Sequence, residues 1–465
     1  MSAIAASSKA SRRFFSIRSG LTTGLLVLTA WVSLTQPSAA IPAFARKFGM
    51  PCSACHEAWP KLNNFGQTFK DNGYQMGNDR DSPIYKDPSY WPVSFRITPH
   101  WHRENTNRAA VDGVPNGEGN LTVHGFDLSG LDILTAGTLS KNISFLLTPS
   151  ANSAATFHFE SAWVRFDNLL KSSWLNVKVG KFELDNILSE KRILALSNNG
   201  GLYQIYHYLP AGGLSAASPA DQTPFGPGAF GIGDNQIGFE VMGHSKNSYT
   251  RYSVSVLSNS DGQVGLPTSR AYDVFLTGSQ AFELGSLGLQ RVGGFAYIGQ
   301  YPTYGLTSGG TAIPGAGLGN KMHYLVGGYG LWYLKKLDFT TMFTHAGESA
   351  YLATATPGNA ALPAGAHDPS WNGALVETHY TVNPQFILVN RFETIRMSQQ
   401  PLDGIKKDFG NLNALTFGYR WYPFINSRDG FAIHNEYARV SSKGTSPAGN
   451  DSVSSSVFLG FDFIF

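Results

Sequence analysis

The chain has 465 residues, of which 42 % are hydrophobic, 13 % aromatic and only 14 % charged, with a formal net charge of +3. That balance lacks the concentrated basic patches that nucleic-acid binding requires, so no nucleic-acid partner is expected. Beyond the N-terminus no run of about 18 apolar residues occurs, which excludes a helical membrane span there. Low charge together with many glycines and aromatics instead suits a membrane β-barrel.

In chain order, residues 1–40 read as an export signal. Lys9, Arg12, Arg13 and Arg18 make a basic start, Leu21 to Leu34 is apolar but short, and Ser38-Ala39-Ala40 offers a small-residue cleavage site, so the mature chain is expected to begin near Ile41. Arg12-Arg13-Phe14-Phe15 has the look of a twin-arginine signal. Either route delivers the protein outside the cytoplasm. No cysteine stands at the cleavage site to accept a lipid anchor.

The next element carries chemistry. The chain has two cysteines, both in the run Cys52-Ser53-Ala54-Cys55-His56. Cys-x-x-Cys-His is the attachment signature of c-type haem. Two thiols at i and i+3 project from one face of a helical turn, where each can add to a vinyl group, and the adjacent imidazole reaches the iron. Pro51 suits the first position of that turn, where its missing N–H costs nothing. A disulfide would not need His56. A thioredoxin-like site belongs at a strand–helix junction of an α/β domain, and a zinc site normally takes four ligands. The expected cofactor is one covalently attached haem c, with Cys52 and Cys55 as tethers and His56 as axial ligand.

Leu62, Phe65 and Phe69 recur at helical spacing after Pro60, and Asn72-Gly73 forms a stop, so a second short helix is expected there. The chain then folds back through Tyr74-Gln75-Met76. Met76 is the nearest well-placed soft side chain and the candidate second ligand, where a thioether would raise the reduction potential; gap-filling apolar packing is the alternative. His100 and His102 are its rivals, and Met50 stands too close in sequence to His56 to reach the opposite haem face easily.

From Trp91 onward the pattern becomes period-two, with one apolar and one polar face. Runs of this kind fall near 91–103, 122–137, 142–149, 156–168, 173–183, 236–245, 248–257 and 271–283. The second half adds 288–299, 321–333, 336–346, 372–382, 385–397, 410–421, 430–442 and 453–465. Short connections alternate with mostly long ones, as in an outer-membrane barrel with an even strand count. A soluble propeller would need a blade-length repeat, and none is visible. The last run places Val457, Leu459, Phe461, Phe463 and Phe465 on one face, which a closed barrel would turn to lipid. Glu104, Asp112 and Glu118 are expected in one extracellular loop, and Ser308 to Gly319 is a Gly-rich loop without the Gly-Lys-Ser/Thr ending of a phosphate site. The expected fold is mainly β: a transmembrane antiparallel β-barrel of about sixteen strands over 91–465, capped or plugged by a small α-helical haem domain over 41–90.

Phe44-Ala45-Arg46 before the haem motif, then Pro60-x-Leu62-x-x-Phe65-Gly66-x-x-Phe69-Lys70-x-Asn72-Gly73-Tyr74, resembles the outer-membrane monohaem cytochrome–porin fusions. Their best-known members are iron oxidases of iron-oxidising bacteria. Val179-Gly180-Lys181-Phe182 resembles a porin strand segment, and the terminal aromatic strand resembles the one by which outer-membrane proteins are recognised for insertion. The resemblance implies an outer-membrane location, an extracellular electron donor such as Fe(II), and a periplasmic cytochrome or other carrier as acceptor. Two other readings stay open: a solute or ion porin whose haem domain is a plug, gate or sensor, and the same conduit running outward to extracellular acceptors.

Overall fold

The computed structural model describes Ala43 to Phe465 apart from residues 79–80, 87–91, 112, 152–156, 189–193, 195–202, 207–234, 259–271, 303–319, 350–367, 369, 398–407 and 425–429. The expected export signal, Asp112 and the Gly-rich 308–319 segment lie outside the described residues. Ile41–Phe465 form one compact unit. Among the described residues no helix is long and apolar enough to cross a membrane.

The first described segment is short and mixed. Helix α1 (Ala43–Phe48) leads to a single 3-10 turn at Cys52–Ala54, a two-stranded hairpin of β1 (His56–Ala58) and β2 (Lys61–Leu62), and helix α2 (Asn64–Asp71). Asn63 caps α2 by accepting the Gly66 N–H at 2.8 Å. The helix ends at Asn72, after which Gly73 turns the chain with φ +72°. The hairpin was not legible as alternation, because three residues and two residues are too few to show a period.

Sixteen antiparallel strands then close on themselves. They are β3 (Val93–Ala110), β4 (Glu118–Ser140), β5 (Ile143–Ala151), β6 (Phe157–Phe166), β7 (Asn176–Phe182), β8 (Gln236–His244), β9 (Thr250–Ser258) and β10 (Tyr272–Glu283). The second half comprises β11 (Leu289–Pro302), β12 (Asn320–Leu334), β13 (Leu337–Glu348), β14 (Ser370–Asn383), β15 (Phe386–Met397), β16 (Leu412–Trp421), β17 (Gly430–Ser442) and β18 (Ser452–Ile464). Closure comes from β18 against β3, with Phe463 opposite Ile97 and Val457 opposite Arg103. Every expected strand is present. Glu104 and Glu118, expected in a loop, lie instead in β3 and β4, which run to 18 and 23 residues. About 9–11 residues suffice to cross a bilayer, so this hairpin stands out beyond it, where solvent on both faces removes the alternation.

Burial is inverted relative to a soluble protein. Glu240, Glu377, Arg391, Glu393, Thr416 and Arg420 are buried, whereas Phe343, Leu388, Phe392, Phe417, Leu459 and Phe461 are exposed. On β15 the buried Arg391 and Glu393 flank the exposed Phe392. Apolar side chains outside and paired charges inside are the arrangement of a barrel that faces lipid and encloses a polar lumen.

Connections at one end are tight, such as 141–142, 335–336 and 384–385, and those at the other are mostly longer. Short turns mark the periplasmic end of an outer-membrane barrel. The N-terminal segment sits in that end. Ala43 donates its N–H to Ser94 Oγ at 2.7 Å at the start of β3, and the Ile84 N–H bonds to the Thr138 carbonyl at 3.0 Å near the end of β4. From the other end, part of the long β7–β8 connection folds inward: Leu194, Ile205 and Tyr206 are buried, and the Leu194 N–H bonds Glu377 at 2.8 Å.

Phe392→Arg, a charge near the middle of the lipid face, should cost roughly 2–4 kcal/mol of barrel stability. Urea unfolding in lipid vesicles measures it. Replacing a residue on the outlying part of the β3–β4 hairpin, such as Val123→Arg, should have a much smaller effect.

Candidate haem-binding site

The site begins with a reversal of the chain. Gly49 ends α1 with φ +66°, and the Met50 N–H returns to the Ala45 carbonyl at 3.2 Å. Pro51 then leads the Cys52–Ala54 turn as its N-cap, not as its first helical residue, and the Cys55 N–H bonds the Cys52 carbonyl at 3.2 Å. Both cysteines are free thiols. Burial pushes the Cys55 thiol up to about 11, so it stays protonated and is no ready nucleophile. Asn63 clamps the turn from α2: its Nδ2 donates to the Ala54 carbonyl at 3.0 Å, and its own N–H to the Cys55 carbonyl at 3.0 Å. Gly66 packs so closely below that a Cβ there would collide with the Cys55 carbonyl oxygen.

His56 opens β1, with its Nδ1 3.0 Å from the Pro60 carbonyl. An imidazole held through Nδ1 offers Nε2 to a metal. Burial lowers its pKa to about 4 against the opposing pull of the Pro60 and Lys61 carbonyls, so the ring is neutral, the ligating form.

Cys52, Cys55 and His56 line one cavity of about 310 Å³ between this segment and the barrel wall. Phe44, Trp59, Leu62, Phe69 and Tyr74 give it an apolar side, and Trp163 of β6 stacks on Tyr74 at 6.2 Å between ring centres. The barrel wall supplies Arg96, Arg165, Lys178 and Arg251, each ion-paired, together with Asp132, Glu160, Glu183 and Asp185. An apolar slot with two thiols and an imidazole at one side and a charged, polar wall at the other fits a covalently held haem, whose apolar ring the aromatic side would take. His56, Cys52 and Cys55 would hold it.

The thioethers are placed less simply. Met50 lines this cavity, and so does Met242 of β8, whose sulfur lies 3.9 Å from Arg165 Nη1. Met76 is not among the lining residues. It is 37 % exposed, with its N–H on Asp81 Oδ1 at 2.7 Å. His100 and His102 do face the lumen, where His100 stacks on Phe458 at 4.5 Å, but neither lines the cavity. The turn at Gly49 brings Met50 in, which its separation in sequence from His56 does not reveal.

Charge pairs fasten the plug. Arg251 of β9 reaches Asp71 of α2 at 2.8 Å, both buried. Burial alone would raise the Asp71 carboxyl, and the Arg251 guanidinium outweighs it and holds it below its usual range. Four strands further round the wall, Lys61 meets Asp338 of β13 at 2.6 Å and Glu57 at 3.1 Å; burial would lower its pKa, but these carboxylates keep it well above the ordinary value. Arg420 and Tyr422 donate to the Trp59 carbonyl at 3.1 and 2.8 Å. Arg165 Nη2 donates to the Lys70 carbonyl at 2.9 Å. Among the described residues no group of three or more His, Cys, Asp and Glu side chains gathers to hold a bare metal ion.

No protein-family model matches the chain, and no curated protein matches it. Solved structures do. The chain is similar to an anion-selective porin from Comamonas acidovorans, at 11 % identity over 80 % of this chain and 99 % of that one, with a TM-score of 0.50. The outer membrane channel DcaP of Acinetobacter baumannii matches at 11 % identity over 80 % and 97 %, with a TM-score of 0.47. OprB of Pseudomonas putida matches at 9 % over 80 % and 94 %, with a TM-score of 0.45. The first of these supports the fold: a closed 16-stranded barrel resembling outer-membrane porins.

Gly66→Val should displace the Cys55 turn and reduce haem attachment while leaving the barrel assembled, as read by a haem-to-protein ratio beside heat-modifiable gel migration. Arg251→Ala strands a buried carboxylate and should weaken seating of the plug by roughly 3–5 kcal/mol, seen as protease cleavage within residues 72–92 in the folded barrel. Because the folded pKa of Asp71 is depressed, its contribution is complete above the unfolded value of 3.8 and is lost as pH falls through the lower folded one. Protease resistance of the wild-type plug should therefore hold from neutral pH to about 4 and fail only below that.

Proposed function

We propose that the protein is an outer-membrane c-type cytochrome that passes electrons between an extracellular donor and a periplasmic carrier, with one haem covalently attached at Cys52 and Cys55. The observation that carries this reading is the shared cavity: two thiols of one turn and an imidazole held through Nδ1 converge on an apolar slot inside the lumen. A bound haem supplies a one-electron couple there. The chain's own residues do the rest. His56 offers Nε2 to the iron. Phe44, Phe69, Tyr74 and Trp163 would exclude water from the ring of a bound haem. No general acid or base is required, since electron transfer needs only a tuned and approachable cofactor edge. Fe(II) as donor rests on the family resemblance alone. The plug lies at the short-turn end, so electrons from outside have to enter the lumen to reach it.

A second reading is a solute or ion porin in which the same segment is a plug or gate. It is favoured by the fold, which resembles that of an anion-selective porin.

The two readings separate in one preparation. Exported protein from a host that attaches haem c should carry one haem per chain, and the Cys52→Ser/Cys55→Ser double variant none. Stopped-flow mixing of the oxidised protein with Fe(II) should reduce it. Haem-free protein with substantial bilayer conductance would support the porin instead. Met50→Ala or Met242→Ala should alter the optical spectrum and potential if either thioether completes the coordination, while Met76→Ala should change neither.

A further inference from the structure

The short-turn rim carries a charge pattern that the haem site does not use. Lys141 on the β4–β5 turn, Lys171 on the β6–β7 connection, Lys246 on the β8–β9 turn, and Lys335 and Lys336 on the β12–β13 turn are all exposed. Three of these turns are consecutive and join strands that wall the haem cavity. Lys86 of the plug segment is exposed at the same end. Among the described residues the acidic side chains facing this rim are engaged. Glu283 takes the Tyr249 hydroxyl at 2.5 Å, Glu57 takes Lys61 at 3.1 Å and the Tyr333 hydroxyl at 3.0 Å, and Asp81 accepts the N–H groups of Met76, Gly77 and Asn78. The six lysines outnumber these three carboxylates, of which Glu57 is paired with Lys61, so the charge exposed here is predominantly positive.

A second observation gives the rim a target. A cleft of about 200 Å³ opens between the plug and the β10–β11 and β12–β13 turns, lined by Glu57, Lys61, Leu62, Leu287, Tyr333 and Lys335. Leu62 also lines the haem cavity. One leucine side chain is thus common to the walls of the site and of the cleft. Lys335 borders that cleft, on the plug side of its turn, which is not where a lysine serving lipid headgroups would stand.

We infer that this lysine rim and the Leu62 cleft form the docking surface for a periplasmic electron-carrier protein with an acidic face. The inference rests on the electron-transfer reading for its purpose, and on the charge pattern and the cleft for its location. Opposite fields steer encounter and fix orientation. In the docked pair one electron leaves the reduced plug and the partner's oxidised one-electron centre gains it; no bond forms or breaks and no proton moves.

The test uses the full chain in phosphatidylcholine nanodiscs, with an acidic plant-type [2Fe–2S] ferredoxin and a basic mitochondrial-type cytochrome c as the two soluble proteins, and binding read by surface plasmon resonance. The ferredoxin should bind the wild type, more weakly as salt rises, and the basic cytochrome should not. Lys171→Glu with Lys246→Glu and Lys335→Glu should weaken ferredoxin binding by about tenfold or more without changing heat-modifiable migration, and Lys335→Gln alone should weaken it measurably. Equal binding of the two proteins, or ferredoxin binding unaffected by the substitutions, overturns the inference. So does a result in which the lysine changes alter only insertion into phosphatidylglycerol membranes, since the rim would then serve lipid. Binding is read without the haem chromophore, so a chain that stays haem-free after export from a host that attaches haem c, yet still selects the ferredoxin, would sink the electron-transfer reading and leave the docking surface standing.

Discussion

A charge taken into a protein interior has to bring its partner with it. The placing of the N-terminal segment follows from that requirement. Asp71 and Lys61 take their partners, Arg251 and Asp338, from β9 and β13, four strands apart in the sixteen-stranded wall. Two ion pairs of opposite polarity a quarter of the way round from each other fix both the depth and the rotation of the plug, because a quarter turn that carried Lys61 to β9 would set it beside Arg251. The aromatic stack through Phe44, Tyr74 and Trp163 adds area. The pairs supply orientation, and the cavity at the cysteines exists only in that orientation.

The same constraint shapes the rest of the lumen. Lys61 and Asp338 continue into His379, Glu377 and Arg391 at hydrogen-bond distances between 2.6 and 3.2 Å. A second chain joins Arg420, His434 and Glu436. Among the described residues, this part of the lumen holds these polar side chains and Leu194, Ile205 and Tyr206 of the β7–β8 connection. That bears on function directly. On the electron-transfer reading, an outside reductant would have to reach a cavity at the short-turn end that strands β3 to β9 line.

Much of the architecture was legible in the sequence, for a physical reason. Where one face meets lipid and the other a polar lumen, every second residue is constrained, so β15 was expected at 385–397 and is Phe386–Met397, and β17 coincides at 430–442. The β3–β4 hairpin ran longer than expected because beyond the bilayer neither face is constrained. Within the plug, the spacing of Cys52, Cys55 and His56 carries the haem reading, and all three line one cavity. The thioethers were not legible. Distance along the chain favoured Met76, but a left-handed glycine at 49 turns Met50 into the cavity, and Met242 arrives from β8 by barrel closure. Arg251 and Asp338 were likewise invisible as partners, since a lumenal charge looks the same in sequence whether it meets a plug or water.

The seating of the cysteines has a consequence for the order of biogenesis. Cys52 is buried, and the turn that carries it is enclosed by strands drawn from β3 through β9. On the haem reading proposed above, an enzyme attaching the cofactor at Cys52 and Cys55 would meet both thiols most openly before β18 closes onto β3. Loading would then precede membrane assembly, and pairing of the last strand with the first would also seal the cofactor in.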